Sequence, residues 1–161
     1  MKGPRVNTEK KTISRTDCQI IRLLQNDGRI SNTTIAEKLG ISEATVRTRL
    51  RRLIEDKVIQ IVAVSNPLKL GFEIVGLINI QIDIKKADNV IKELKNLKEL
   101  WYIVVTTGSS DISVEFNLKS LDELHVLLFE KINKIDGIIR TDTALIMQFI
   151  KRQYEWGTAL D

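Results

Sequence analysis

The chain has 161 residues, of which 43% are hydrophobic and 29% charged, with a net charge of +4, the composition of a globular protein with one ordinary domain or two small ones. Cys18 is the only cysteine, which excludes an intramolecular disulfide, a cysteine-based zinc site and a Cys-X-X-Cys redox motif. No apolar run approaches the roughly 20 residues that span a bilayer, and no signal-peptide core follows the basic N-terminus, so a cytoplasmic protein without a membrane partner is expected.

The charge is uneven. Residues 1–71 carry 14 Lys and Arg against 7 Asp and Glu, and residues 72–161 carry 11 against 14. A half suited to a polyanion is joined to one that is not. Residues 1–15 are polar and basic, with Gly3 and Pro4 and no apolar period, and read as a flexible basic tail. From Asp17 the pattern turns helical: Ile20, Ile21, Leu23 and Leu24 recur at helical spacing, Asp17 suits the first turn, and Asp27-Gly28 is the stop. A second helix is expected from about Asn32 to Leu39, with Ser31 or Asn32 as N-cap, Ile35, Ala36 and Leu39 inward, and Gly40 at the left-handed C-terminal position.

After that glycine, Ser42 caps a third helix to about Asp56, on which Val46, Leu50, Leu53 and Ile54 form the apolar stripe. At about 100° per residue, Ala44, Thr45, Thr48, Arg51 and Arg52 fall on the far side, with Arg47 and Arg49 on the flanks. A solvated basic face is the plainer reading of such a helix. Its place as the second helix around a glycine turn supports another. Small residues at the helix start let the backbone approach base edges, and arginines further along reach phosphates or guanine. On that reading the DNA-binding residues are Ser42, Ala44, Thr45, Arg47, Thr48, Arg49, Arg51 and Arg52.

Residues 16–57 thus make a helix-turn-helix domain of winged type, and 58–71 a linker with one strand, Val58 to Val64, then an Asn66-Pro67 turn and a break at Gly71. In residues 72–161 a long strand from Phe72 to Ile84 puts Ile74, Gly76, Ile78, Ile80, Ile82 and Ile84 on one face. A helix over Ala87 to Leu97, a strand over Leu100 to Thr106, a turn at Thr107 to Ser110 and a strand over Asp111 to Leu118 follow. Ser120 then opens a helix with a stripe of Leu121, Leu124, Leu128 and Ile132, and a last strand runs from Ile138 to Ile150. The order β-α-β-β-α-β is the ferredoxin-like arrangement, so the fold class is α+β. Val75 and Leu77 oppose the isoleucine face, and a sheet face with such groups needs covering; a second copy of the chain, as an isologous dimer, is the simplest cover.

With these elements in order, the chain resembles the Lrp/AsnC family, the leucine-responsive or feast/famine transcriptional regulators of bacteria and archaea. The resemblance covers about Thr16 to Ile150 and is carried by Asp17 with Ile21 and Leu24, "DGRIS" (Asp27 to Ser31), "IAEKLGIS" (Ile35 to Ser42), "VRTRLRRL" (Val46 to Leu53), "VI" (Val58, Ile59), "NPLKLG" (Asn66 to Gly71), Gly108 with Asp111, and "GIIRTDT" (Gly137 to Thr143). It implies that the N-terminal half binds double-stranded DNA. It also implies that the C-terminal half is the family's RAM module, which dimerises, builds tetramers or octamers, and holds an amino acid between dimers near Gly108-Ser109-Ser110-Asp111. Thr106, Gly108, Ser109, Ser110, Asp111, Thr141 and Thr143 are the implied effector residues. Without the resemblance, Gly108 to Asp111 is simply a turn between strands.

The sequence departs from the family pattern at Lys57, where many relatives have glycine, at Ser110, where relatives often carry a larger residue, and in a tail longer than the family minimum, whose plainer reading is an inert tail and whose Lys2, Arg5, Lys10, Lys11 and Arg15 are the candidates for phosphate contacts. No cofactor, metal site or catalytic constellation is expected: no carboxylate pair, phosphate loop or triad spacing stands out. His125 has no matching nucleophile or metal partner, and Cys18 suits a small buried apolar position. The functional reading is a DNA-binding transcription regulator modulated by an amino acid. A sequence-tolerant architectural DNA binder is the alternative, and an enzyme finds no support.

Overall fold

The computed structural model describes residues 13–159. All of the expected tail up to residue 12, with Lys2, Arg5, Lys10 and Lys11, lies outside the described residues. Two compact units result: one holds the described residues up to Ala63 together with those from Lys151 on, the other is Val64–Ile150.

In the first unit α1 (Arg15–Asn26) starts two residues before Asp17, because Ser14 caps it. The Asp17 backbone N donates to Ser14 Oγ at 3.2 Å, and Ser14 N donates to the Asp17 carboxylate at 2.9 Å, a reciprocal capping box. Arg15 is therefore the first helical residue rather than the end of a tail. Helix α2 (Asn32–Leu39) is capped by Ser31 and stops at Gly40, whose φ of +65° suits glycine. Helix α3 (Glu43–Glu55) follows at once, capped by Ser42. Ile20, Ile21, Ile35, Ala36, Val46 and Leu53 close the core between the three helices, and burying each large aliphatic side chain contributes about 1.5–3 kcal/mol. Ile54, expected on the stripe of α3, is 44% exposed; it lies about 100° past Leu53 and off the line that Val46 and Leu53 define.

The strand expected over Val58 to Val64 does not form. No strand among the described residues pairs with it, and Val58, Ile61, Val62 and Val64 are exposed. High β-propensity cannot make a strand when the ladder has no second side. Asn66 then caps a 3₁₀ turn, Pro67–Leu70, by accepting from Leu68 N at 3.1 Å.

The second unit contains β1 (Ile74–Ile82), α4 (Ala87–Lys95), β2 (Leu100–Val105), β3 (Ile112–Leu118), α5 (Leu121–His125) and β4 (Ile138–Leu145). All three strand pairings are antiparallel, in the order β2-β3-β1-β4, which is the ferredoxin-like sheet. Ile78, Ile80 and Ile82 of β1 and Ile112, Val114, Phe116 and Leu118 of β3 pack with Val90 and Leu94 of α4 and with Leu124, Leu127 and Ile132 beyond. Gly76 makes room for that core: a Cβ there would stand 2.5 Å from the Ala144 carbonyl oxygen and 2.7 Å from Phe116 Cζ.

Two expected elements differ. The helix opened by Ser120 is α-helical only to His125, widens into a π-helical turn at Val126–Lys131 and ends in a 3₁₀ turn, Ile132–Lys134. The wider turn rephases the stripe, so Leu127 and Ile132 are buried while Leu121 is 62% exposed. The last strand stops at Leu145 rather than Ile150. Its ladder ends with Ile146 N donating to the Val75 carbonyl at 2.8 Å, where β1 runs out of residues to pair. The described residues from Lys151 on group with the first unit. There the Gln25 side-chain amide donates to the Gly157 carbonyl and accepts from Gly157 N, both at 3.2 Å.

Candidate nucleic-acid interface and effector turn

Helix α3 presents Ala44, Arg47, Thr48, Arg51 and Arg52 to solvent, with Thr45 and Arg49 partly covered. Its start is fixed by Ser42, which accepts from Thr45 N at 3.1 Å, and the Thr48 hydroxyl donates back to the Ala44 carbonyl at 3.0 Å. Ala44, Thr45, Thr48, Arg49 and Arg52 line an open groove of about 460 Å³ along this face. All eight residues expected to meet DNA are thus on one short helix and its cap.

The four arginines are not equivalent. Arg47 pairs with Glu43 one turn earlier, an exposed pair of the kind that contributes little. Arg51 has no ion pair among the described residues. Arg49 and Arg52 turn inward to Asp17, a residue that sequence pattern alone assigns only to the first turn of α1 and whose side chain is fully buried. Arg49 Nη1 donates to Asp17 Oδ1 at 3.0 Å and to Ser14 Oγ at 3.1 Å, and Arg52 Nη2 donates to Asp17 Oδ2 at 2.6 Å. The Ser14 hydroxyl donates to the same Oδ2 at 2.7 Å. Burial works against the Asp17 charge, but the bonds from Ser14, the bond from Arg49 and the charge of Arg52 outweigh it and hold the carboxyl below the usual carboxylate range. The spacing does signal that Asp17 faces inward, since it stands four and seven residues before Ile21 and Leu24 on the same face of α1, but it does not name its arginine partners.

The second expected site is a turn pinned to the end of β1. Asp111 N donates to the Ile80 carbonyl at 2.9 Å, and Asp111 Oδ2 accepts from Ile82 N at 2.9 Å. Gln81 Nε2 donates to the Ser109 carbonyl at 2.7 Å, and Thr106 Oγ1 donates to the Ser110 carbonyl at 2.9 Å. Asp111 therefore holds the loop. Gly108 has a φ of +113°, and a Cβ added there would meet nothing within 4 Å, so its backbone is open on that side. Thr141 and Thr143 lie on β4, paired with Ile80 and Ile78, so β1 stands between them and the turn. Thr141 Oγ1 donates to Asn133 Oδ1 at 3.2 Å. Thr106, Gly108, Ser109, Ser110 and Asp111 come together as one loop, and the two threonines form a separate pair across the central strand. His125 is exposed and stacks on Phe129 with ring centroids 4.8 Å apart, and Cys18 is buried.

A capped helix-turn-helix with a basic exposed second helix, followed by a ferredoxin-like unit, defines a two-unit DNA-binding regulator. The AsnC-type helix-turn-helix domain model matches residues 13–54, and the Lrp/AsnC ligand binding domain model matches residues 76–156. An uncharacterised HTH-type transcriptional regulator of Pyrococcus abyssi is 38% identical over 154 residues, 95% of either chain. The HTH-type transcriptional regulator Ptr1 of Methanocaldococcus jannaschii is 34% identical over 140 residues, 86% of this chain and 95% of that one. Escherichia coli AsnC superposes with a TM-score of 0.77 at 25% identity, covering 88% of this chain and 96% of its own. A transcriptional regulator of Neisseria meningitidis, solved as a complex with L-Met, shares the fold with a TM-score of 0.80 at 18% identity, covering 93% of this chain and 98% of that one. The chain belongs to the Lrp/AsnC family of transcriptional regulators, a family of regulators and not of enzymes. None of its described helices is long and apolar enough to cross a membrane.

Proposed function

We propose that the protein is a sequence-specific transcription regulator of the cytoplasm that binds DNA as a homodimer, assembles further into tetramers or octamers, and responds to an amino acid held at its C-terminal units. The observation that carries the DNA part is the exposed face of α3, where Ala44 and Thr48 leave room for base edges and Arg47, Arg51 and Arg52 stand beside them. Dimerisation is supported by two surfaces that one chain leaves without a partner. One is the unpaired β-rich run from Val58 to Val64; the other is the sheet face opposite the helices, where Leu77, Tyr102 and Val104 stand among polar groups. The amino-acid part is supported by the open backbone at Gly108 and by the L-Met complex of the Neisseria protein. An effector carboxylate would meet backbone N–H groups of the turn, and the second copy would supply the enclosure one chain lacks.

Titration and footprinting of the purified protein on the DNA upstream of its own gene, against random competitor at about 0.15 M salt with a panel of amino acids, test this reading. Two protected half-sites about 34 Å apart, bound about 10³-fold or more tighter than random DNA and altered by one amino acid, are expected. Uniform coverage indifferent to every amino acid would instead establish an architectural DNA binder.

A further inference from the structure

The Asp17 cluster is more elaborate than helix capping or surface charge requires. Capping α1 needs one carboxylate oxygen and the Ser14 groups, yet Asp17 is fully buried and each of its oxygens also holds an arginine of α3, 32 and 35 residues further along the chain. A guanidinium has five N–H donors in a planar fork. Arg49 uses Nη1 on Asp17 and Ser14, and its Nε is buried with no acceptor among the described residues. A buried donor without an acceptor costs stability. The rest of the Arg49 side chain is about one-third exposed, 32%, and lines the groove with Ala44, Thr45, Thr48 and Arg52. The charges add up to the same conclusion: one carboxylate and two guanidiniums leave a surplus of one positive charge.

We infer that Asp17 is a positioning residue for DNA binding: it holds Arg49 and Arg52 side by side so that the groove on α3 forms one prearranged seat for a single backbone phosphate. The inference rests on the DNA-binding reading above. The exposed guanidinium donors of Arg49 and Arg52 that Asp17 and Ser14 leave over are the groups that meet the phosphate, and Thr45 and Thr48 stand beside them. Prearrangement matters because an arginine side chain left free gives up rotamer entropy on binding. Arg49 and Arg52 fix register on the duplex in this assignment, which leaves base reading to Ala44, Thr48 and Arg51.

The test is the salt dependence of affinity for one fixed duplex, measured with the full chain for wild type, Arg49→Ala, Asp17→Asn and the double variant. Each phosphate neutralised contributes about 0.9 to the slope of log affinity against log salt. Asp17→Asn keeps a capping acceptor and removes the charge. It is expected to lose roughly tenfold in affinity, the size of one charge-assisted contact, and about 0.9 in slope. Arg49→Ala is expected to do the same, and the double variant to be no worse than either single one. Tighter binding by Asp17→Asn with a steeper slope would overturn the inference, since Asp17 would then be masking charge. Wild-type slope in Asp17→Asn, or additive losses in the double variant, would overturn it as well and leave Asp17 a structural residue. Should Asp17→Asn fail to fold, Ser14→Ala, which removes only the hydroxyl between Asp17 and Arg49, discriminates in the same way: a reduced slope supports the seat and an unchanged one rejects it. A wild-type protein with no salt-dependent affinity for any duplex would reject the DNA-binding reading itself, a separate outcome.

Discussion

In the N-terminal unit a fully buried carboxylate, Asp17, lies beneath the helix that carries the exposed arginines, whereas the buried core of the C-terminal unit is apolar throughout among the described residues. Its expected ligand turn is shaped by the positive φ of Gly108 and by side chains bonded to main-chain groups: Asp111 Oδ2 accepts from Ile82 N, and Gln81 and Thr106 donate to the Ser109 and Ser110 carbonyls. One unit thus adds a buried charge cluster to its apolar core, whereas the other relies on close packing and on hydrogen bonds to main-chain groups. The difference means that salt and acid should act on the first, and added volume on the second.

The largest effect is expected from added volume in the sheet. At Gly76 a side chain would be driven into the Ala144 carbonyl, a backbone atom that cannot swing away, and into the Phe116 ring. Gly76→Val is expected to destabilise the C-terminal unit by about 3 kcal/mol, the upper range for overpacking. Denaturant unfolding followed by circular dichroism would show an early transition for that unit, and an unchanged profile would mean the strands can part more easily than their packing suggests.

Acid sharpens the comparison from the other side. The Asp17 carboxyl is held below its ordinary value in the folded unit, so its contribution to stability is fully present above the unfolded value of about 4 and is lost as pH falls through the folded value. The stability difference between wild type and Asp17→Asn is therefore expected to be largest near neutral pH and to shrink below about pH 4. In the C-terminal unit Glu99 is also held low, chiefly by its hydrogen bond from Lys131. Those side chains are 28% and 37% exposed, so water screens the pair and Glu99→Gln is expected to change less over the same range. Midpoints of urea unfolding measured across that range distinguish the two, and a Glu99→Gln effect as large as that of Asp17→Asn would break the contrast.

How far each unit is legible in the sequence follows from the same distinction. The alternation of Ile78, Ile80 and Ile82, and the cap serines Ser31, Ser42 and Ser120, are local signals, and the structure uses them as local rules require. The β-rich run from Val58 to Val64 misleads because a strand needs a partner as well as propensity. The π-helical turn after His125 escapes the pattern because a 3.6-residue period leaves no place for an inserted residue. At the candidate interface the outward face of α3 can be read from spacing alone. The inward tie of Arg49 and Arg52 cannot: a helix-capping role already accounts for Asp17, and its arginine partners are distant in sequence. The hydrogen bonds of Gln25 with Gly157, 132 residues apart, lie beyond any local pattern.

Arg51 separates DNA contact from stability. With no ion pair among the described residues and an exposed side chain, Arg51→Ala is expected to leave folding stability within about 0.5 kcal/mol. Its cost in DNA affinity is expected to be about 1–3 kcal/mol at particular base pairs, the signature of a guanine contact. A uniform loss with a slope lower by about 0.9 would make Arg51 a phosphate contact instead.

The smallest effect lies at the exit of α3. Lys57 has a φ of +56° and, among the described residues, is the only non-glycine with a positive φ. Its left-handed turn lets Lys57 N donate to the Ile54 carbonyl at 3.0 Å and Val58 N to the Leu53 carbonyl at 2.9 Å, bonds that end the helix and bring Ile59 against the core. The C-terminal unit uses glycine at each of its left-handed positions, Gly71, Gly108 and Gly137. The N-terminal unit accepts a strain of about 1–2 kcal/mol for a lysine, against the 0.5–1 kcal/mol or so of extra chain entropy that glycine loses on folding. Lys57→Gly is therefore expected to stabilise the unit by about 0.5 kcal/mol. If the lysine is kept for its charge near the DNA backbone, the same variant loses about 0.9 in salt slope. Stability gained with the slope unchanged would show instead that the strain at this position serves no contact with DNA.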